Sequence, residues 1–244
     1  MRLVKSAFIA VLFVLPGAAA GQHQVTAGLG ISDPRGQLDE NTDTGFGFVG
    51  SYLYALNPTR TVAVGASGAF QAYGGTARQA ALSSTIPDIR VDVDTSNNTA
   101  FLQGVLQIKA PTGVIQPYAQ GTAGYGFFFT TTSLRNPFDG ETVLSDTNQN
   151  DGAWIWGAGG GLLVKVYQGE PEPTLSAYQR AGVAPREPVK VYVDAGARWL
   201  QGGEVEYLKE GSLVTDEGEF DIDSRLARSD IELIQYQLAV TVEF

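Results

Sequence analysis

From Ile234 to Phe244 every second residue is apolar: Ile234, Tyr236, Leu238, Val240, Val242 and Phe244, with Gln235, Gln237, Thr241 and Glu243 among the residues between them. Side chains of a strand point alternately to its two faces, so this period of two makes one face greasy and the other polar. Seven further stretches alternate in the same way, at 24–32, 44–56, 61–71, 99–110, 117–129, 153–167 and 188–201. Most are long enough for a tilted membrane crossing, which takes about 9–11 residues. In none of the eight does the more apolar face carry a charge, where one would cost about 2–4 kcal/mol at the middle of a bilayer. A water-soluble barrel would reverse this pattern, with its charges outside.

No stretch reaches the roughly 20 apolar residues of a membrane helix. The longest apolar run, Ala7 to Leu15, follows Arg2 and Lys5 and precedes Pro16, Gly17 and Ala18 to Ala20. That order reads as a secretory leader over 1–20, cut after Ala20. Residues 21–244 are then one domain, and spanning strands can satisfy their backbone only in a closed sheet. The expected fold is all-β, an eight-stranded antiparallel up-and-down transmembrane β-barrel.

The connections are 33–43, 57–60, 72–98, 111–116, 130–152, 168–187 and 202–230, and long alternates with short until the sixth. Membrane barrels have short periplasmic turns and longer external loops. Asn57-Pro58-Thr59-Arg60 and Pro111-Thr112-Gly113 have turn chemistry, which puts both termini on the periplasmic side. Segment 168–187, with Pro171, Pro173 and Pro185, reads as an elaborated turn around a short helix near 175–180. In this orientation Phe46, Phe48, Phe70, Tyr125, Phe127, Trp154, Trp156 and Trp199 fall at the external ends of their strands as an aromatic girdle, and Tyr52, Tyr54 and Phe244 lie near the opposite rim.

Lys109, Lys165, Lys190, Asp194, Arg198 and Glu243 belong to the polar parity and are expected inside, where opposite signs can pair. An eight-stranded barrel is just wide enough for side chains to fill, which favours a plugged, salt-bridged interior over an open pore. No catalytic, cofactor or dedicated metal site is expected.

The processed chain holds 26 acidic and 14 basic residues, a balance that excludes nucleic acid as a natural partner. It has no cysteine, hence no disulfide and no thiolate chemistry. The four expected external loops, 33–43, 72–98, 130–152 and 202–230, carry 20 acidic and 7 basic residues, leaving 6 and 7 elsewhere in the processed chain. Solvating loops held apart by repulsion are the plain reading. The sharper one is capture of divalent cations or another external ligand, with Asp216, Glu217, Glu219, Asp221 and Asp223 as one candidate group. Asp146, Asn148 and Asn150 before Asp151-Gly152 form another. That second stretch only hints at a calcium loop, because its glycine comes one residue late and Gly157 stands where a closing glutamate belongs. Gly157 to Gly161 lacks the Lys-Ser/Thr ending of a phosphate loop and reads as tight strand packing.

The leader, the eight alternating strands, the Tyr236 to Phe244 ending and the strand Asp194-Ala195-Gly196-Ala197-Arg198-Trp199 together resemble the small bacterial outer-membrane β-barrel family of opacity-type and outer-membrane-protein-A or X-like barrels. The resemblance covers essentially the whole processed chain. It implies outer-membrane lipid and the barrel-assembly machinery as partners, with Tyr236, Leu238, Val240, Val242 and Phe244 as the insertion signal. Barrel enzymes of that membrane depend on a histidine, generally toward the outer rim. His23, the only histidine, starts strand 1 at the other end and reads as an ordinary exposed residue. The expected role is structural or surface interaction through the loops. The alternative is a small-solute channel of the outer-membrane-protein-W type.

Overall fold

The computed structural model describes residues 22–39, 42–81, 90–135, 142–170, 188–208, 215–216, 219–220 and 226–244. They form β1 (His23–Pro34), β2 (Gly45–Ala55), β3 (Val62–Ala81), β4 (Arg90–Lys109), β5 (Ile115–Arg135), β6 (Thr142–Gln168), β7 (Lys190–Leu208), β8 (Thr215–Asp216), β9 (Glu219–Phe220) and β10 (Leu226–Glu243). Eight of them close an antiparallel barrel in the order β1-β10-β7-β6-β5-β4-β3-β2, and β8 and β9 make a separate small ladder. The fold is the eight-stranded up-and-down barrel expected from the alternation.

Closure joins the first and last strands, from Gln24↔Glu243 to Pro34↔Leu233. Reciprocal backbone bonds of 3.0 Å between His23 and Phe244 finish the seam, so no strand is left as an edge within the barrel. Leu29, Phe48, Phe70, Leu102, Leu106, Phe127, Trp154 and Leu238 stand exposed on the outer wall. Thr26, Ser67, Gln71, Gln103, Gln107, Gln235 and Thr241, from the opposite parity, are buried inside. This outside-apolar arrangement is the reverse of a water-soluble barrel and matches a wall made for hydrocarbon.

Several strands run well past the expected boundaries. Pairing of β3 with β4 continues to Ala81↔Arg90, and that of β5 with β6 to Arg135↔Thr142. Much of 72–98 and 130–152, expected as loop, is therefore antiparallel ladder. The apolar alternation stops at the end of the greasy belt, but the backbone bonds of a ladder need no apolar face and continue beyond it.

β2 parts from β3 after Gly45↔Tyr73, and β7 parts from β6 after Ile155↔Gly202. Beyond the rim, β3 to β6 continue as one four-stranded sheet, while β7 and β10 rise as a separate ribbon to Leu208↔Leu226. Across the gap the Asp151 carboxylate accepts the backbone N–H of Glu206 at 2.8 Å. The expected leader and the segment from 171 to 187 lie outside the described residues.

Candidate functional site

The lumen is layered, and its chemistry changes from one end to the other. At the end that holds both chain termini, the Glu243 carboxylate is only 2% exposed. It accepts from Lys109 Nζ, from Arg60 Nη1 at 3.4 Å and from the Tyr192 hydroxyl at 3.2 Å. Lys109 also donates to Gln24 Oε1 at 3.3 Å, which extends the cluster across the seam.

Arg60 was not legible as part of this cluster. It ends the β2–β3 turn, where its N–H donates to the Asn57 carbonyl at 2.9 Å and Asn57 Oδ1 accepts from the Val62 N–H at 3.1 Å. Its φ of 54° is the left-handed conformation that non-glycine residues adopt reluctantly, and its side chain is buried against Glu243. A turn pattern announces the bend but not where its last side chain points.

The middle layer centres on Asp194, which is 3% exposed. Tyr118 Oη donates to Asp194 Oδ1 and Gln237 Nε2 donates to Oδ2, both at 2.9 Å. Arg198, also buried, gives its Nε–H to Gln235 Oε1 at 2.6 Å and reaches Ser67 Oγ at 3.4 Å. The glycines of β6 and β7 make room for these side chains. A Cβ on Gly161 or Gly196 would come within 2.7 or 2.4 Å of the Tyr118 hydroxyl, and one on Gly159 within 2.5 Å of Arg198 Cβ. The Gly157 to Gly161 run therefore holds space for inward side chains. Tyr118→Phe removes one donor from a buried carboxylate and should cost about 1–3 kcal/mol, measurable as a lower urea midpoint for unfolding from lipid vesicles.

Toward the hairpin end the polar parity turns apolar. Val49, Ala69, Phe101, Phe128, Ala153, Ile155, Leu200, Ile231 and Leu233 form one buried cluster inside the barrel. This corrects the expectation of a mainly polar, salt-bridged interior. Leu38 joins the cluster at 1% exposure, brought over the rim by the β1–β2 connection. That connection is tied to β10 by Arg35 N–H to the Glu232 carbonyl at 2.8 Å and by Ser229 Oγ to the Gln37 carbonyl at 3.3 Å. Gly36, at φ 60°, makes the turn. An alternation of small and apolar residues on a strand's inner face leaves little sequence signal for such a layer, because both faces then look half-apolar.

Of the six charges assigned to the lumen, Lys109, Asp194, Arg198 and Glu243 are buried in it. Lys190 is half-buried at the mouth, opposite Glu243 in the ladder. Lys165 does not join the cluster. Near a register shift between Lys165 and Tyr167, it is half-buried and donates to Gln168 Oε1 at 2.7 Å.

Phe46, Phe48, Phe70, Phe127, Trp154, Trp156 and Trp199 are exposed on the outer wall. Tyr125 is half-buried and donates to the Gly152 carbonyl at 2.8 Å. Edge-to-face contacts link Tyr125 with Phe127 and Trp154, and Trp156 with Trp199. On β10, Tyr236, Leu238 and Val240 are exposed, whereas Val242 and Phe244 are half-buried.

His23 corrects another expectation, because it is 8% exposed rather than open to solvent. Its ring stacks on Phe244 and meets Tyr52 and Tyr54, and its Nδ1 lies 2.7 Å from the Tyr52 hydroxyl. It is packed into the aromatic rim beside the seam.

The calcium-loop candidate, Asp146, Asn148 and Asn150, falls within β6. Asp146 pairs with Thr132 and Asn150 with Phe129 of β5, and between them the register shifts so that Asn148 is skipped. A strand sends successive side chains to opposite faces, unlike the curled backbone of a calcium loop. Asp216 and Glu219 pair in the small ladder, and Glu217, Asp221 and Asp223 lie outside the described residues.

No protein-family model matches the chain. No curated protein matches it significantly in sequence. Among solved structures it is similar to Ail, the attachment invasion locus protein of Yersinia pestis, at 15% identity over 92% of this chain and 99% of that one, TM-score 0.36. It is similar to Neisserial surface protein A at 14% identity, covering 93% and 98%, TM-score 0.36. It is also similar to the outer membrane protein OprG from Pseudomonas aeruginosa at 11% identity, covering 92% and 96%, TM-score 0.47.

Proposed function

We propose that this chain is a bacterial outer-membrane barrel with a closed lumen, whose acidic hairpins form an interaction surface outside the cell. The observation that carries the reading is that opposite chemistries occupy the two ends of the lumen. Arg60, Lys109, Tyr192 and Glu243 fill the terminal end, and the apolar layer under Leu38 fills the hairpin end. A lumen occupied in this way transports poorly, while connections carried on a closed sheet are where recognition usually resides. Residues 1–20 are removed after Ala20, the termini face the periplasm, and the uncharged wall and aromatic girdle contact lipid. Burial of the only histidine in the rim aromatics supports a non-enzymatic role.

Reconstituted in planar bilayers, the protein should give no steady conductance above the lipid background. Sustained unitary currents would instead promote the small-solute channel. In detergent gels the unheated barrel should migrate apart from the boiled chain. Protease added to intact cells should cut within 72–98 or 202–230 and leave both termini uncut.

A further inference from the structure

We infer that the β7–β10 ribbon above the rim is a hinged flap over the apolar layer of the lumen, latched shut by the Asp151 carboxylate. This goes beyond the proposed surface role, since it concerns a moving part and stands whether or not the hairpins bind a partner.

The hinge is marked on both strands at one level. Pairing of β6 with β7 ends at Ile155↔Gly202. At the same place the ladder of β7 with β10 steps from Gln201↔Glu232 to Glu204↔Asp230, so Gly202 and Gly203 stand opposite the single Ile231. Two residues against one is a β-bulge, which bends the strand that carries it. Just above, Glu204 and Asp230 face each other and both are exposed, and like charges placed directly opposite weaken a ladder. Farther out Glu206 pairs with Arg228 in register and as an ion pair, which stiffens the part beyond the hinge.

The latch crosses the gap that β7 leaves beside β6. Asp151 Oδ2 accepts the Glu206 N–H at 2.8 Å, while Oδ1 accepts the Gly152 N–H at 2.7 Å and so holds the carboxylate in place. On the ribbon's other side Ser229 Oγ donates to the Gln37 carbonyl at 3.3 Å. Beneath, Val205 and Ile231 are 0% exposed and roof the buried cluster over Ile155, Leu200 and Leu233. Past Ile155↔Gly202 no ladder joins the ribbon to β6 among the described residues. An element tied by few bonds opens at a smaller free energy than the whole fold. Swung outward, the flap uncovers the apolar layer from the hairpin end, while the Glu243 cluster keeps the other end shut.

The chain has no cysteine, so a single introduced thiol reports opening without background. In the intact protein in lipid vesicles, Val205→Cys should react slowly with a water-soluble maleimide, at a rate set by the flap. Val105→Cys, buried on the inward face of β4, tracks opening of the whole barrel. Asp151→Ala should speed labelling at 205 by about tenfold, the worth of one hydrogen bond to a charged group, and leave labelling at 105 unchanged. Gly203→Ala should slow labelling at 205 by about two- to fivefold, because alanine narrows the conformations open to the hinge. The closed form accepts that alanine: a Cβ on Gly203 meets the Ala153 Cβ at an ordinary 3.5 Å, and the positive-φ glycines are Gly36 and Gly113. Equal rates at 205 in the parent and Asp151→Ala, equal acceleration at both thiols, or no slowing by Gly203→Ala would each overturn the flap. Conductance reads the closed lumen separately.

Discussion

Glu243→Leu should lower the stability of the folded barrel by about 3–5 kcal/mol, the range found when one partner of a buried ion pair is removed. The carboxylate is 2% exposed and receives Lys109, Arg60 and the Tyr192 hydroxyl. Without it, two cations remain inside a wall that faces hydrocarbon, with neutral groups such as Gln24 left to solvate them. The effect should appear as a lower urea midpoint for unfolding from lipid vesicles and a lower temperature for the detergent-gel mobility shift. The outer face of β10 is untouched, because Glu243 points inward between Val242 and Phe244. The double variant Lys109→Met/Glu243→Leu should be less damaging than Glu243→Leu alone, since it removes one of the stranded charges along with their partner. If the single variant is as stable as the parent, the ion cluster does not hold that end of the barrel.

Leu102→Arg should cost about 2–4 kcal/mol in bilayers. Leu102 is 63% exposed on the outer wall of β4, paired with Gly68 and Tyr125. Its neighbour Gln103, on the inward face, is 2% exposed and donates to the Thr122 hydroxyl at 3.2 Å. An arginine at 102 is harmless in water and expensive in hydrocarbon. The same substitution at a solvated hairpin position such as Asn150, which is exposed above the belt, should cost less than about 0.5 kcal/mol. Equal folding yields in vesicles for Leu102→Arg and the parent would mean that this wall does not face lipid. The contrast between the two positions separates a membrane effect from a general penalty on β4 or β6.

Which residues face out was readable because a strand has a period of two and hydrocarbon tolerates no charge. Leu102, Trp154 and Leu238 could be placed on the outer wall from spacing alone, and the structure exposes all three. The lumen was less readable. Lys109 and Glu243 were assigned to the inside by parity, but their partner Arg60 comes from a turn, where no periodicity operates and one left-handed φ aims the side chain. Leu38 is similar: it lies in a connection, and only the docking of Arg35 and Gln37 on β10 carries it over the lumen. The candidate calcium loop shows the same limit, because spacing of carboxylates and amides says nothing about whether the backbone curls or pairs, and here it pairs with β5 on both sides of a register shift.

Strand number, the sidedness of each strand and the uncharged wall thus follow from the order of residues, since each depends only on neighbours one or two places away. The layered filling of the lumen, the sealing of His23 beneath Phe244 and the separation of a four-stranded sheet from the β7–β10 ribbon depend on closure. Closing the sheet sets which inward side chains share a level, and those contacts join residues far apart in the chain, 215 positions in the case of Thr26 and Thr241. No local pattern encodes them.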